Sequence, residues 1–240
     1  MNVERVNPYG DDRAKTEQVE AMFDAIAPAY DFMNRAMTFG LDRLWLRALV
    51  KAVRNSGARE IVDMATGTGD VALALARRIP GVSVTGLDLS EGMLAKAREK
   101  AHGEAVTFRQ ADCLHTGLPD ASADAVTVAY GVRNYADIAA GYREMARILR
   151  PGGMVAVLEL STPVSPITRP LYKLYTRMLI PMVGRFVSGD SRAYSYLPES
   201  IAAAPQRESM TAIMNAAGFD KASFKSLTFG VCTLYIAKKA

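Results

Sequence analysis

Through the middle of the chain, short hydrophobic runs alternate with stretches of helical periodicity. The runs 60–64, 82–88, 105–110, 124–130 and 154–160 predict strands. Several are near-continuous in Val, Ile and Leu, as expected where both faces of a parallel sheet are covered. Between them, 70–78, 91–102 and 138–149 predict helices, the last stopped by Arg150-Pro151-Gly152-Gly153. Such alternation predicts an α/β, doubly wound, Rossmann-like sheet, whose ligands bind outside the carboxyl ends of the strands near the switch point. The end of the chain breaks the pattern. Runs at 223–229 and 231–237, joined at Gly230, predict a closing antiparallel hairpin. The expected organisation is one domain over 1–240: a helical cap at 14–55, a core at 56–160, a proline-rich lid insertion at 163–205, and a closing helix and hairpin at 206–240.

Composition narrows the class. Half of the 240 residues are hydrophobic and 22% are charged, a balance that supplies a core and excludes a disordered chain. Cys113 and Cys232 build no disulfide framework, and no Cys/His cluster suggests a metal. The polar N-terminus reads as neither signal nor transit peptide. The longest apolar segment, 171–187, is interrupted by Lys173, Arg177, Pro181 and Arg185, so no span is expected. A soluble cytoplasmic protein is the expectation. The net charge of +4 comes without a basic run of the kind that binds nucleic acid. It would suit weak attraction to anionic lipid, about 1 kcal/mol per basic residue near the surface.

Candidate chemistry begins at Asp63-Met64-Ala65-Thr66-Gly67-Thr68-Gly69-Asp70, which leaves a strand and opens a helix. Gly67 and Gly69 allow a sharp turn and close approach to a ligand, and the free N–H groups of the helix start point at that ligand. The next strand ends on Asp88, at the spacing of a carboxylate that binds a ribose diol. A dinucleotide needs a third glycine where this chain has Ala72, and Asp70 opposes a pyrophosphate. A cationic, phosphate-free ligand fits better. The string resembles the first motif of class I S-adenosylmethionine-dependent methyltransferases, with Ala65 in place of their usual first glycine. Gln110-Ala111-Asp112-Cys113 and Leu149-Arg150-Pro151-Gly152-Gly153 resemble further segments of that class.

Three more strings narrow the resemblance: 22–34 continuing to 40–45, Tyr130-Gly131-Val132-Arg133-Asn134, and 190–201 with Tyr194-Ser195-Tyr196-Leu197. Together they resemble the ubiquinone/menaquinone biosynthesis C-methyltransferase family from about residue 17 onward. That resemblance implies methylation of a prenylated quinol ring carbon, such as demethylmenaquinol to menaquinol, with the benzoquinol step of ubiquinone synthesis or another small lipid as alternatives. It implies S-adenosylmethionine contacts at Thr68, Asp88, Asp112 and Cys113, beside the loop residues Asp63, Gly67 and Gly69. A serine common at the end of strand four is Ala129 here. A non-catalytic scaffold is the reading from another class, and the intact Gly67, Gly69, Asp88 and Asp112 speak against it.

The residue chemistry agrees. A quinol ring becomes a good carbon nucleophile once a hydroxyl is deprotonated, and a phenolic pKa of about 10 opposes that. Arg133, past strand four, would stabilise the phenolate, with Asn134 orienting the ring. Arg133 is a poor base, so water or a carboxylate, Asp190 or Asp31, takes the proton. Alternatively, Arg133 simply pairs with an acidic neighbour. Tyr30, Tyr130 and Tyr194, with Tyr196, either wall a flat pocket or are ordinary half-buried tyrosines. Leu171, Leu174, Tyr175, Met178 and Met182 share one helical face of 169–187. That face either packs over the site or touches a bilayer as a lid. A homodimer is left open.

Overall fold

The computed structural model describes residues 3–172, 174–176 and 191–240, the first five of the last stretch as backbone only. One seven-stranded sheet runs in the order β3-β2-β1-β4-β5-β7-β6. Its strands are β1 (Glu60–Met64), β2 (Ser83–Asp88), β3 (Val106–Gln110), β4 (Ala123–Ala129), β5 (Leu149–Leu160), β6 (Phe219–Leu227) and β7 (Cys232–Lys239). All neighbours are parallel except those of β7, which lies antiparallel between β5 and β6. The order reverses between β1 and β4, so the switch point opens beside Met64 and Ala129.

Helices cover both faces. On one side α6 (Ile138–Ile148) buries Tyr142, Met145 and Ile148, together with Met210 and Met214 of helix Glu208–Ala216. On the other, α3 (Asp42–Ser56) and α4 (Asp70–Arg78) bury Trp45, Leu49, Val53, Val71 and Leu75. A third cluster lies beneath the cap, where α1 (Lys15–Ile26) and α2 (Tyr30–Met37) set Met22, Ile26 and Met33 against Met93 of α5 (Glu91–Lys100) and Tyr196.

The predicted strands and helices are present, with two informative differences. The Arg150–Gly153 turn expected before strand five is inside it: Ala123 pairs with Leu149, and the next pairing on β4 is Ala125 with Met154. Gly152 takes φ +74°, a left-handed value that lets the extra residues bulge out, and Arg150 pairs with Asp124 across the bulge. Similarly, β6 begins at Phe219 rather than 223, because a register shift between Asp220 and Ser223 carries pairing past Lys221. Of the expected lid, 163–172, 174–176 and 191–205 are described; Met178, Pro181, Met182, Asp190 and the side chain of Tyr194 lie outside the described residues. No described helix is long and apolar enough to cross a membrane, and the described residues hold no metal-binding cluster.

Candidate active site

The loop between β1 and α4 is shaped from behind by a buried carboxylate. Asp63 accepts hydrogen bonds from Thr66 Oγ1 at 2.6 Å and Thr127 Oγ1 at 2.5 Å. Burial raises its pKa to about 6, against the pull of those two hydroxyls. Asp63 therefore sits behind the loop rather than on a cavity wall, and Gly69 does so too. A Cβ on Gly69 would stand 2.9 Å from the Phe108 ring and 3.0 Å from Ala97, so this glycine lets the loop close on its neighbours. Ala65, where the related class has glycine, takes φ +52°.

In front of the loop, Asp88 ends β2. Its Oδ2 accepts Gly67 N–H at 2.7 Å and its Oδ1 accepts Ser90 N–H at 3.0 Å. Burial raises its pKa above the ordinary carboxylate value, opposed by those N–H groups. Each oxygen keeps lone-pair capacity, since a carboxylate offers about four acceptor positions. Asp112 and Cys113 follow β3 and join Asp88 in a small cavity of about 70 Å³. The buried Cys113 thiol is pushed up to about 12 by desolvation and is unreactive.

That cavity opens beside a larger one of about 510 Å³, and both are lined by Tyr30, Ala65, Gly67, Tyr130 and Asn134. Thr68 lines the larger one, donating to Asp31 Oδ1 at 2.5 Å. Lys100 pairs with Asp31 at 2.7 Å and with Asp70 at 2.5 Å, fastening the cap to the loop. On the opposite wall lies Arg133, 6% exposed. It has the acidic partner anticipated as the plain alternative. Glu159 Oε1 is 2.7 Å from Arg133 Nη1, and Glu159 Oε2 accepts the Arg133 backbone N–H at 3.1 Å. Burial works against the guanidinium charge, but Glu159 outweighs it and the pKa is raised. Arg133 Nε remains without a partner among the described residues. Asn134 Oδ1 accepts the Tyr196 hydroxyl at 3.0 Å, and Asn134 Nδ2 donates to Tyr130 O at 3.3 Å. Tyr30 and Tyr130 are half-buried, with their phenols shifted upward by desolvation.

The structure thus brings together Arg133, Asn134, Tyr30, Tyr130, Gly67, Thr68, Asp88, Asp112 and Cys113 around connected cavities. Glu159 was not anticipated. Its signal was a lone acid in the hydrophobic run Val155–Leu160, since an acid buried in a strand needs a cationic partner. The donor set suits a cationic, phosphate-free nucleoside ligand: carboxylates at 88 and 112, Asp31 and Asp70 nearby, and, among the described residues, Lys100 at the loop already paired with Asp31 and Asp70. S-adenosylmethionine fits that description.

Comparison with known proteins agrees with this geometry. The model of the ubiE/COQ5 methyltransferase family matches residues 11–239. A demethylmenaquinone methyltransferase of Bacteroides fragilis is 41% identical, over 98% of each chain. A ubiquinone/menaquinone biosynthesis C-methyltransferase UbiE of Geobacter sulfurreducens is 42% identical over 94% of this chain and 90% of its own. Human N-acetylserotonin methyltransferase, solved in complex with SAM, shares the fold at TM-score 0.59 and 21% identity, over 95% of this chain and 63% of that one. With an acidic nucleoside cavity at the switch point, the Gly-x-Arg-Asn turn on its wall, and a match spanning nearly all of its length, the chain belongs to the ubiE/COQ5 methyltransferase family.

Proposed function

We propose that this chain methylates a ring carbon of a prenylated quinol, converting demethylmenaquinol to menaquinol. The observation that carries the reading is Arg133: a buried guanidinium on the wall of an aromatic-lined cavity that adjoins the acidic nucleoside site. When bound, S-adenosylmethionine supplies an electrophilic methyl group. Asp88 would accept hydrogen bonds from its ribose hydroxyls, and Asp112 and Cys113 would border its adenine.

Across the larger cavity, the Arg133 guanidinium on the wall stabilises the phenolate form of one ring oxygen. Glu159 keeps the guanidinium oriented and cancels much of its net charge, so the effect works through a directed hydrogen bond more than through a bare cation. Asn134, fixed by Tyr196, orients the ring, and Tyr30 and Tyr130 wall it. The hydroxyl proton passes to water; once the ring carbon holds the methyl group, that carbon's hydrogen leaves as a proton, also to water, which restores the aromatic ring. Asp31 is a poor acceptor for the hydroxyl proton, because taking it would cost Asp31 the ion pair with Lys100. Since a polyprenyl tail resides in lipid, this reading places the protein at the cytoplasmic face of a membrane, in peripheral contact through 169–187. The name of the Geobacter relative keeps a benzoquinol acceptor as the second reading.

The test is transfer of labelled methyl to a short-chain demethylmenaquinone, with and without reductant. Label on the ring only under reducing conditions supports the assignment. No transfer with cofactor binding intact removes the naphthoquinol and moves the search to benzoquinols.

A further inference from the structure

The large hydrophobic side chains left in water among the described residues cluster in three segments, each of which sends one of them to the larger cavity. Among the described residues they fall in 32–44, in 164–174 and at the turn between β6 and β7. Phe39 is 72% exposed, Ile167 78% and Phe229 81%. The three segments meet. Phe39, Leu171 and Phe229 line the same cavity. The Phe39 ring lies 6.1 Å from that of Tyr175, and Trp45 Nε1 donates to Thr228 Oγ1 at 2.7 Å. Phe39 and Phe229 also hold φ values of +51° and +56°, in the left-handed region that bulky residues rarely enter. Strained backbone is thus retained at two tips that present an aromatic ring to solvent. A contiguous apolar rim of this kind marks an interaction surface.

Cations lie within two of these segments, Arg35 and Arg43 in 32–44 and Arg169 in 164–174, and a basic face leads from Arg43 along α3 away from the mouth. On α3, Arg43, Arg47, Lys51 and Arg54 recur at helical spacing, opposite the buried Trp45, Leu49 and Val53. All four are exposed, as are Arg35 on α2 and Arg169 in the third segment. None of these six is in an ion pair among the described residues. Apolar tips beside unpaired cations match an anionic lipid surface, with the rings entering the acyl boundary and the guanidinium groups meeting headgroup phosphates.

We infer that this rim docks the protein on an anionic bilayer with the cavity mouth facing the lipid. The docking face is built by the Phe39 and Phe229 tips, the start of α3, and Ile167 and Leu171. The orientation rests on the prenylated-quinol reading, which explains why a cavity mouth should open onto lipid.

The full-length protein is tested by co-sedimentation with phosphatidylcholine vesicles, with and without phosphatidylglycerol. The variants are Arg43→Gln/Arg47→Gln and Leu44→Ser/Ile167→Ser, none of which lines the cavity. Wild type binds the anionic vesicles and salt weakens it. The arginine pair loses about thirtyfold in affinity at low salt, and the apolar pair loses about tenfold or more. Both keep wild-type transfer to a short-chain quinol in solution. Wild type that ignores anionic vesicles, or variants that bind them as well as wild type, overturn the docking face. A fall from dimer to monomer mass in either variant, without vesicle binding by wild type, assigns the face to a second copy instead. Vesicle binding that follows the expected pattern, with no short-chain quinol methylated, sustains the docking face and removes only the quinol reading.

Discussion

Gly131→Ala is the substitution whose outcome the geometry constrains most tightly. Gly131 has φ −101°, so alanine meets no backbone objection there, and whatever it costs is steric. Its Cβ would stand 2.6 Å from Ala65 Cβ and 3.0 Å from Val128 Cγ1. Ala65 cannot retreat easily, since the next residue, Thr66, donates its N–H to Leu87 O at 2.9 Å. Overpacking of this kind costs about 1–3 kcal/mol. Ala65→Gly alone relieves the left-handed strain, about 1–2 kcal/mol, and gives back about 0.5–1 kcal/mol through the looser unfolded chain. It should therefore be neutral or slightly stabilising. The double variant removes the colliding methyl, so the two substitutions should couple by about 1–3 kcal/mol in a double-mutant cycle. Urea unfolding followed by far-ultraviolet circular dichroism reads all four proteins. If Gly131→Ala costs the same with Gly at 65 as with Ala, the contact is not the source of the penalty and the reasoning fails.

Other expectations concern charge. Asp63 is raised to about 6 by burial, above the unfolded value of about 3.9, so the native chain holds the proton over that interval. Its stabilising contribution is full below the unfolded value and lost as pH rises through the folded one. Asp63→Asn should therefore flatten the stability profile by about 3 kcal/mol between pH about 4 and about 7 in denaturant titrations; an unchanged slope would mean Asp63 is ionised throughout. Asp88→Ala should weaken S-adenosylmethionine binding by about 1.5–3 kcal/mol in calorimetry. Arg133→Ala should leave that affinity alone while lowering kcat, and a wild-type rate would exclude the phenolate role. Glu159→Gln should destabilise by about 3–5 kcal/mol in thermal unfolding, because it strands a buried guanidinium; a loss under 1 kcal/mol would show Arg133 finding another partner.

Local chemistry made much of this legible. The β1 loop and Asp88 announce themselves because glycine punctuation and a strand-terminal acid are short-range signals. Arg133 and Asn134 stand out because they sit on one turn beside the strand they follow, and that turn lines the cavity. What escaped is tertiary. Lys100 meets Asp31 across 69 residues, and no periodicity links a helix end to the cap. The Leu149–Gly153 segment reads as a stop because Pro and Gly usually are one, yet pairing with Ala123 resumes the strand around it. Asp63 reads as part of the loop; its bond to Thr127, on a different strand, is a tertiary contact that no local signal carries.

The two outermost strands of the sheet carry one more consequence. β3 presents Thr107, Arg109 and Gln110 to solvent, and β6 presents Asp220, Lys221 and Lys225, with Lys221 at φ +51° where the register shifts. Charge on both borders, and a twist on one, deny a neighbouring chain a straight ladder to extend. Copies of this protein crowded together are thereby steered away from joining into a continuous sheet and kept from aggregating through backbone pairing.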